Sequence, residues 1–185
     1  MRSLTLAAGL ITLLASSAAA TGATITLGGP LSQRCYESAV AHDDRGSAID
    51  ACNRSLSEEA LTRPDRAATY VNRGVLLMDL GRSVDADADF DAALALDRSA
   101  PDPWLNKGFL RLRGGQGRDA LPLLDEGIKR QPRREALAYF ARGLAYEDVG
   151  DFSAAYADLR RARELEPSWR LPGEYLARYQ VKHGR

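Results

Sequence analysis

Apolar positions recur along this chain at two scales. In TYVNRGVLLMDLGRSVDADADFDAALALD, from Thr69, apolar and small residues fall three and four apart on either side of Gly81, the spacing that places one apolar stripe on each of two helices. The whole pattern then returns in PWLNKGFLRLRGGQGRDALPLLDEGIKRQP from Pro103 and in AYFARGLAYEDVGDFSAAYADLRRARELEP from Ala138. Four sets of positions keep step: Gly74, Gly108 and Gly143; Gly81, Gly115 and Gly150; Ala86, Ala120 and Ala155; and the aromatics Tyr70, Trp104 and Tyr139. Each set is separated by 34 and then 35 residues. Further along, Leu171, Tyr175, Leu176 and Tyr179 make one more apolar stripe behind Pro172, a residue tolerated in a first helical turn.

A period of 34 residues built from two amphipathic helices resembles the tetratricopeptide repeat, and the resemblance covers residues 67 to 167. Counting within each repeat, the aromatic stands at position 4, the small residue at 8, the turn glycine at 15 and alanine at 20. Phe90, Leu124 and Leu159 stand at 24, Ala93, Gly127 and Ala162 at 27, and Pro132 and Pro167 at 32. Small residues at 8, 20 and 27 let helices approach closely, and the large ones at 4 and 24 fill the gaps between them. The implied fold is all-α: a right-handed superhelical stack of antiparallel hairpins with repeats at 67–100, 101–134 and 136–167. Residues 33–66 fit the register as a degenerate hairpin, with Ala48 at position 20 and Cys52 at 24, and residues 168–185 are expected to form a capping helix. The pattern is departed from at Arg98, which replaces the closing proline of the first repeat, at Arg111, which replaces a large apolar residue, and at Pro122, inside the second helix of repeat two. One inserted residue between Pro132 and Glu135 alters the following loop.

The amino terminus reads differently. Arg2, an apolar stretch from Leu4 to Leu14 and the small residues Ala18 and Ala20 have the form of a secretory leader cleaved after Ala20, and the stretch is too short for a membrane span. The first cysteine, Cys35, follows Ser32, Gln33 and Arg34, so a lipid anchor is not expected. The mature chain would start with a flexible segment at 21–32 and be periplasmic or secreted, an exported bacterial type of repeat protein. In an oxidising compartment Cys35 and Cys52 favour a disulfide over redox or metal chemistry; the alternative is two buried thiols. In the repeat register they stand at positions 7 and 24, equidistant from the turn, which sets the sulfurs face to face.

Composition then removes whole classes of function. The 25 basic and 25 acidic residues balance, which argues against a nucleic-acid partner held by phosphate contacts. Two histidines and two cysteines are thin material for zinc or for acid-base catalysis. The DADAD run at Asp85 to Asp89 starts like a calcium loop, but Phe90 and Leu96 stand where that loop needs Gly and Glu. GGQG at Gly114 to Gly117 lacks the Lys and Ser/Thr of a phosphate loop and falls at a turn. Asn53 to Ser55 spells a glycosylation sequon on an expected helix. No metal, no cofactor and no enzymatic activity are expected.

What the resemblance implies is a concave groove that docks a peptide or helix of a protein partner. Carried over by position, its apolar floor is Val71, Val75, Leu105, Phe109, Phe140 and Leu144, with Asn72 and Asn106 projecting in parallel to touch one ligand. Leu137 and Ala141 occupy the places where some family members carry basic residues for a terminal carboxylate. The expected function is a non-catalytic protein-interaction scaffold of the cell envelope; the alternative is a structural subunit that self-associates through its end faces into a homo-oligomer. Glu147 is expected on the exposed surface.

Overall fold

A computed structural model describes residues 3–6, 28–43 and 46–182. Among the described residues nine helices run in chain order: α1 Pro30–Val40, α2 Gly46–Glu58, α3 Arg63–Asp79, α4 Ser83–Leu96, α5 Pro101–Arg113, α6 Gly117–Lys129, α7 Glu135–Asp148, α8 Phe152–Leu165 and α9 Arg170–Leu176. They form four antiparallel hairpins, α1 with α2 through α7 with α8, and α9 packs on α8. The odd-numbered helices α1, α3, α5 and α7 contact one another in sequence and make one row. Each of α2, α4 and α6 also touches the helix that opens the next hairpin. The all-α hairpin solenoid expected from the repeat is the fold observed.

Local chemistry sets the helix ends. Prolines occupy the first turn of α1, α3 and α5, where a missing N–H costs nothing. Thr62 and Asp151 cap α3 and α8 by accepting from Asp65 N and Ala154 N at 3.3 and 3.0 Å. Gly81, Gly115 and Gly150 turn each hairpin with φ of +74°, +66° and +83°, a region where a side chain is strained. Helix α6 continues through Pro122.

Close approach explains the glycines at position 8. A Cβ on Gly74 would stand 2.5 Å from the Phe90 ring and one on Gly108 2.6 Å from Leu124, while Gly143 leaves 3.1 Å to Leu159. Phe90, Leu124 and Leu159 are fully buried over these gaps. In the first hairpin the corresponding level is covalent: Cys35 and Cys52 form a disulfide, and both are fully buried.

A polar ladder joins the hairpins. Position 7 holds a base in every repeat, and each base reaches an acid or amide on the outer helix before it. Arg73 donates to Asn53 at 2.7 Å and to both Asp89 oxygens at 2.8 and 2.6 Å. Lys107 reaches Asp91 at 2.6 Å and Asp87 at 3.1 Å. Arg142 donates to Asp125 at 2.7 Å and to Asp158 at 2.7 and 2.9 Å. Arg111 finds Asp87 at 3.0 Å, so the apolar-to-basic departure there is absorbed by an ion pair with the preceding repeat. Burial works against the Asp87 charge, but Arg111 and Lys107 outweigh it and hold that carboxyl below its ordinary value. Asp85, Asp87 and Asp89 thus face different cations, and among the described residues no acid, His or Cys cluster could hold a metal.

The ends depart from expectation. Helix α1 begins at Pro30, inside the segment expected to be flexible, and the capping helix stops at Leu176 rather than running to residue 185. Beyond it Tyr179–Lys182 (β2) pairs antiparallel with Ser3–Leu6 (β1). Arg178 and Tyr179 both bind the Glu147 carboxylate of α7, at 2.7 and 2.6 Å, and this tether is incompatible with a longer helix. It also corrects the placement of Glu147, which is nearly buried. Burial, with the Glu147 carboxylate beside it, pushes the Tyr179 hydroxyl well above the usual phenol range. Apart from β1, the expected leader lies outside the described residues, and no described helix is long and apolar enough to cross a membrane.

Candidate binding groove

The row of inner helices encloses a cavity of about 610 Å³. Its floor is Phe109 of α5 with Leu137, Phe140 and Leu144 of α7, and Met78 and Leu112 add the last turns of α3 and α5. Trp169 and Leu171 close one end from the α8–α9 corner and the start of α9. Trp169 and Tyr175 brace the Phe140 ring with centroids at 4.9 and 5.1 Å, so the aromatic floor is fixed by packing before any ligand arrives. At the other end Ala41 and His42, just past α1, form the wall. His42 has a φ of +50°, and its Nδ1 stands 2.6 Å from Asp79 Oδ2, while Arg113 reaches Asp79 Oδ1 at 3.2 Å. One carboxylate therefore ties together the ends of α1, α3 and α5 at the rim.

Of the eight groove residues expected from position alone, the structure brings three to the cavity: Phe109, Phe140 and Leu144. Val71 packs with Ala67 and Ala93 inside its own hairpin, and Val75 and Leu105 belong to the interior cluster that also holds Cys35 and Ala39. Asn72 and Asn106 are 0% exposed, which corrects their assignment as ligand contacts. Helix α1 packs on α3, but Asn106 on α5 is buried to the same degree, so this position belongs to the interior of the repeat itself. The other lining residues are Met78, Asp79, Leu112 and Arg113 at positions 12 and 13, Leu137 and Ala141 of α7, Ala41 and His42 past α1, and Trp169 and Leu171 beyond α8. Positions 12 and 13 were legible in the repeat register, and His42 falls within the degenerate first hairpin; Trp169 lies beyond the repeats.

Chemically the cavity offers apolar and aromatic contact with a polar rim, and its size is within the usual range for ligand pockets. The tetratricopeptide-repeat family pattern matches residues 136–168. Protein O-mannosyl-transferase TMTC3 of Homo sapiens is 24% identical over 106 residues, 57% of this chain but 12% of its own length, so the chain spans about an eighth of that relative. Among solved structures, MamA 41-end from Desulfovibrio magneticus RS-1 is 26% identical, with a TM-score of 0.61 over 80% of this chain and 82% of that one. The Arabidopsis OM64 TPR domain is 19% identical, with a TM-score of 0.59 over 63% of this chain and 96% of that one. The fold they share is in general a protein-protein interaction scaffold and generally non-catalytic. The family match of the third hairpin and the shared fold of these tetratricopeptide-repeat neighbours together support a tetratricopeptide-repeat protein.

Proposed function

We propose that this protein is an exported, non-catalytic scaffold that holds the apolar side of a peptide or helix from a partner protein of the cell envelope. The observation that carries the reading is the braced aromatic cavity. Phe109, Phe140 and Leu144 supply contact area on a preorganised floor, and a ligand entering such a site gives up little of its binding energy to reordering the receptor. The Asp79 cluster with His42 and Arg113 gives the rim polarity and so a preferred orientation for the ligand. Export rests on the leader-like residues 1–20, and a buried disulfide is compatible with a compartment where thiols are oxidised.

The experiment is partner capture from the envelope fraction with the mature chain. Phe109→Ala and Phe140→Ala, made separately, should weaken capture at least about tenfold each, as expected when a central aromatic anchor is removed. Asn72→Ala with Asn106→Ala serves as the contrast, and because Phe109 and Phe140 are themselves only 8% and 6% exposed, the helical melting curve of every variant is compared with its capture. Full binding by both phenylalanine variants would move the interaction surface elsewhere, with the end faces of the stack next in line.

A further inference from the structure

We infer that the Cys35–Cys52 disulfide controls whether the groove has its amino-terminal wall. The inference rests on the groove being the binding surface. In the three later hairpins a large apolar side chain at position 24, Phe90, Leu124 or Leu159, fills the space between the paired helices. Position 24 of the first hairpin is Cys52, bonded across to Cys35. The buried side chains of α1 are Ser32, Cys35 and Ala39, and those of α2 are Ala48, Ala51, Cys52 and Ser55. None is larger than cysteine. This hairpin therefore buries little apolar surface of its own, and a covalent link stands where its neighbours have a hydrophobic one.

Other contacts hold the two ends of the hairpin unequally. At the end far from the turn, Glu59 accepts from Leu31 N at 2.8 Å, Ser32 N at 2.9 Å and Ser55 Oγ at 2.7 Å. At the turn end, where Ala41 and His42 wall the cavity, His42 is tied to Asp79 of the next hairpin at 2.6 Å. Repeats in such a stack couple to their nearest neighbours. Without the crosslink the first hairpin loosens while α5 to α8 keep their packing, and the groove loses its wall. Oxidation transfers two electrons and two protons from the two thiols to a disulfide-bearing oxidant, whose own S–S bond breaks and which leaves as its dithiol while the Cys35–Cys52 bond forms. The groove is then complete only in a chain that has met such an oxidant.

Segment-resolved amide hydrogen exchange on the full oxidised chain and on Cys35→Ser with Cys52→Ser tests this. Residues 30–43 and 46–58 should exchange about a hundredfold faster in the variant, while α5 to α8 stay within about threefold. Cys35→Ala with Cys52→Leu, which gives the first hairpin the filler its neighbours have, should restore most of the protection. Unchanged protection of 30–58 in the serine variant overturns the inference, and so does an equal loss across all hairpins. Partner capture separates the two layers. Capture weakened by the serine pair and restored by the alanine–leucine pair supports the coupling. Capture indifferent to the cysteines but lost in Phe140→Ala overturns the coupling and leaves the groove standing, while capture indifferent to Phe140→Ala overturns both.

Discussion

Replacing Arg142 with methionine removes a guanidinium that joins three helices. Its Nε and Nη2 donate to Asp158 of α8 at 2.7 and 2.9 Å, its Nη1 donates to Asp125 of α6 at 2.7 Å, and it lies 5.3 Å from the Tyr139 ring centre. The Arg142 and Asp158 side chains are 20% and 9% exposed, so Arg142→Met leaves a carboxylate with little access to water. Breaking a buried pair from one side costs about 3 to 5 kcal/mol, and the partial exposure of the arginine places this case near the low end. Asp125 is more open and adds no more than about 0.5 kcal/mol. A loss of about 3 kcal/mol is a large fraction of the roughly 5 to 15 kcal/mol that holds a domain together. Urea denaturation followed by helical circular dichroism should show a lowered midpoint with an unchanged slope. Two comparisons decide whether burial is the cause. Arg160→Met breaks a pair whose members are 54% and 49% exposed and should cost less than about 0.5 kcal/mol. Arg142→Met with Asp158→Leu should recover most of the loss, since no charge is then left stranded at α8. An Arg142→Met loss no greater than that of Arg160→Met, or a double variant no better than the single, would refute the reasoning that this pair ties α7 to α8.

Gly74→Ala, whose new Cβ meets Phe90 at 2.5 Å, should lower stability by about 1 to 3 kcal/mol and more than Gly143→Ala, where the gap is 3.1 Å; the ranking is read from urea midpoints. Gly150→Ala adds no clash but forces a side chain to a φ of +83°, and should cost about 1 kcal/mol in the same assay. Because the Asp87 carboxyl is held below its ordinary 3.8 in the fold, the stability it contributes is present above that value and lost as pH falls through the folded one. Asp87→Asn should therefore flatten the acid side of a stability-pH curve below roughly pH 4. Glu147→Gln keeps a neutral acceptor but removes the charge that Arg178 and Tyr179 converge on. Limited proteolysis should then cut faster after Arg178, with no change in cleavage within α3 to α6.

Much of the fold was legible because the repeat imposes the same steric demand at the same position each time. Gly74 and Gly108 sit against Phe90 and Leu124 at nearly the same gap, so position 8 tolerates no side chain, and the period shows in the letters. The Cys35 and Cys52 pairing could be read from the register for the same reason: two positions equidistant from a turn meet across it. The ladder at position 7 escaped notice although Arg73, Lys107 and Arg142 recur in register. Basic residues on a helix ordinarily read as solvated surface, and their burial depends on Asn53, Asp91 and Asp125 of the preceding hairpins and, for the two arginines, on Asp89 and Asp158 of their own. The end of the capping helix was hidden for a similar reason. The apolar stripe through Leu176 and Tyr179 is continuous in sequence, but Tyr179 is drawn out of it by Glu147, some thirty residues away.

The groove shows where equivalence between repeats stops being informative. Asn72 and Asn106 occupy the same position in adjacent repeats, and their recurrence looked like two contacts on one ligand. Equivalent positions in a solenoid share an environment, and here that environment is the interior, where both side chains are completely buried. For positions on the open face, exposure is decided further by what stacks there, and so by the irregular ends as well as by the repeat. Helix α1 covers α3 on one side, and the Trp169 corner fences α7 on the other. The cavity that remains is centred on α5 and α7, and Phe109 and Phe140 survive as floor residues because they lie between those two covers. The parts of the molecule that match the family least therefore choose which family positions a ligand can reach, and substitutions at Ala41 or Leu171 should retune the groove without touching any consensus position.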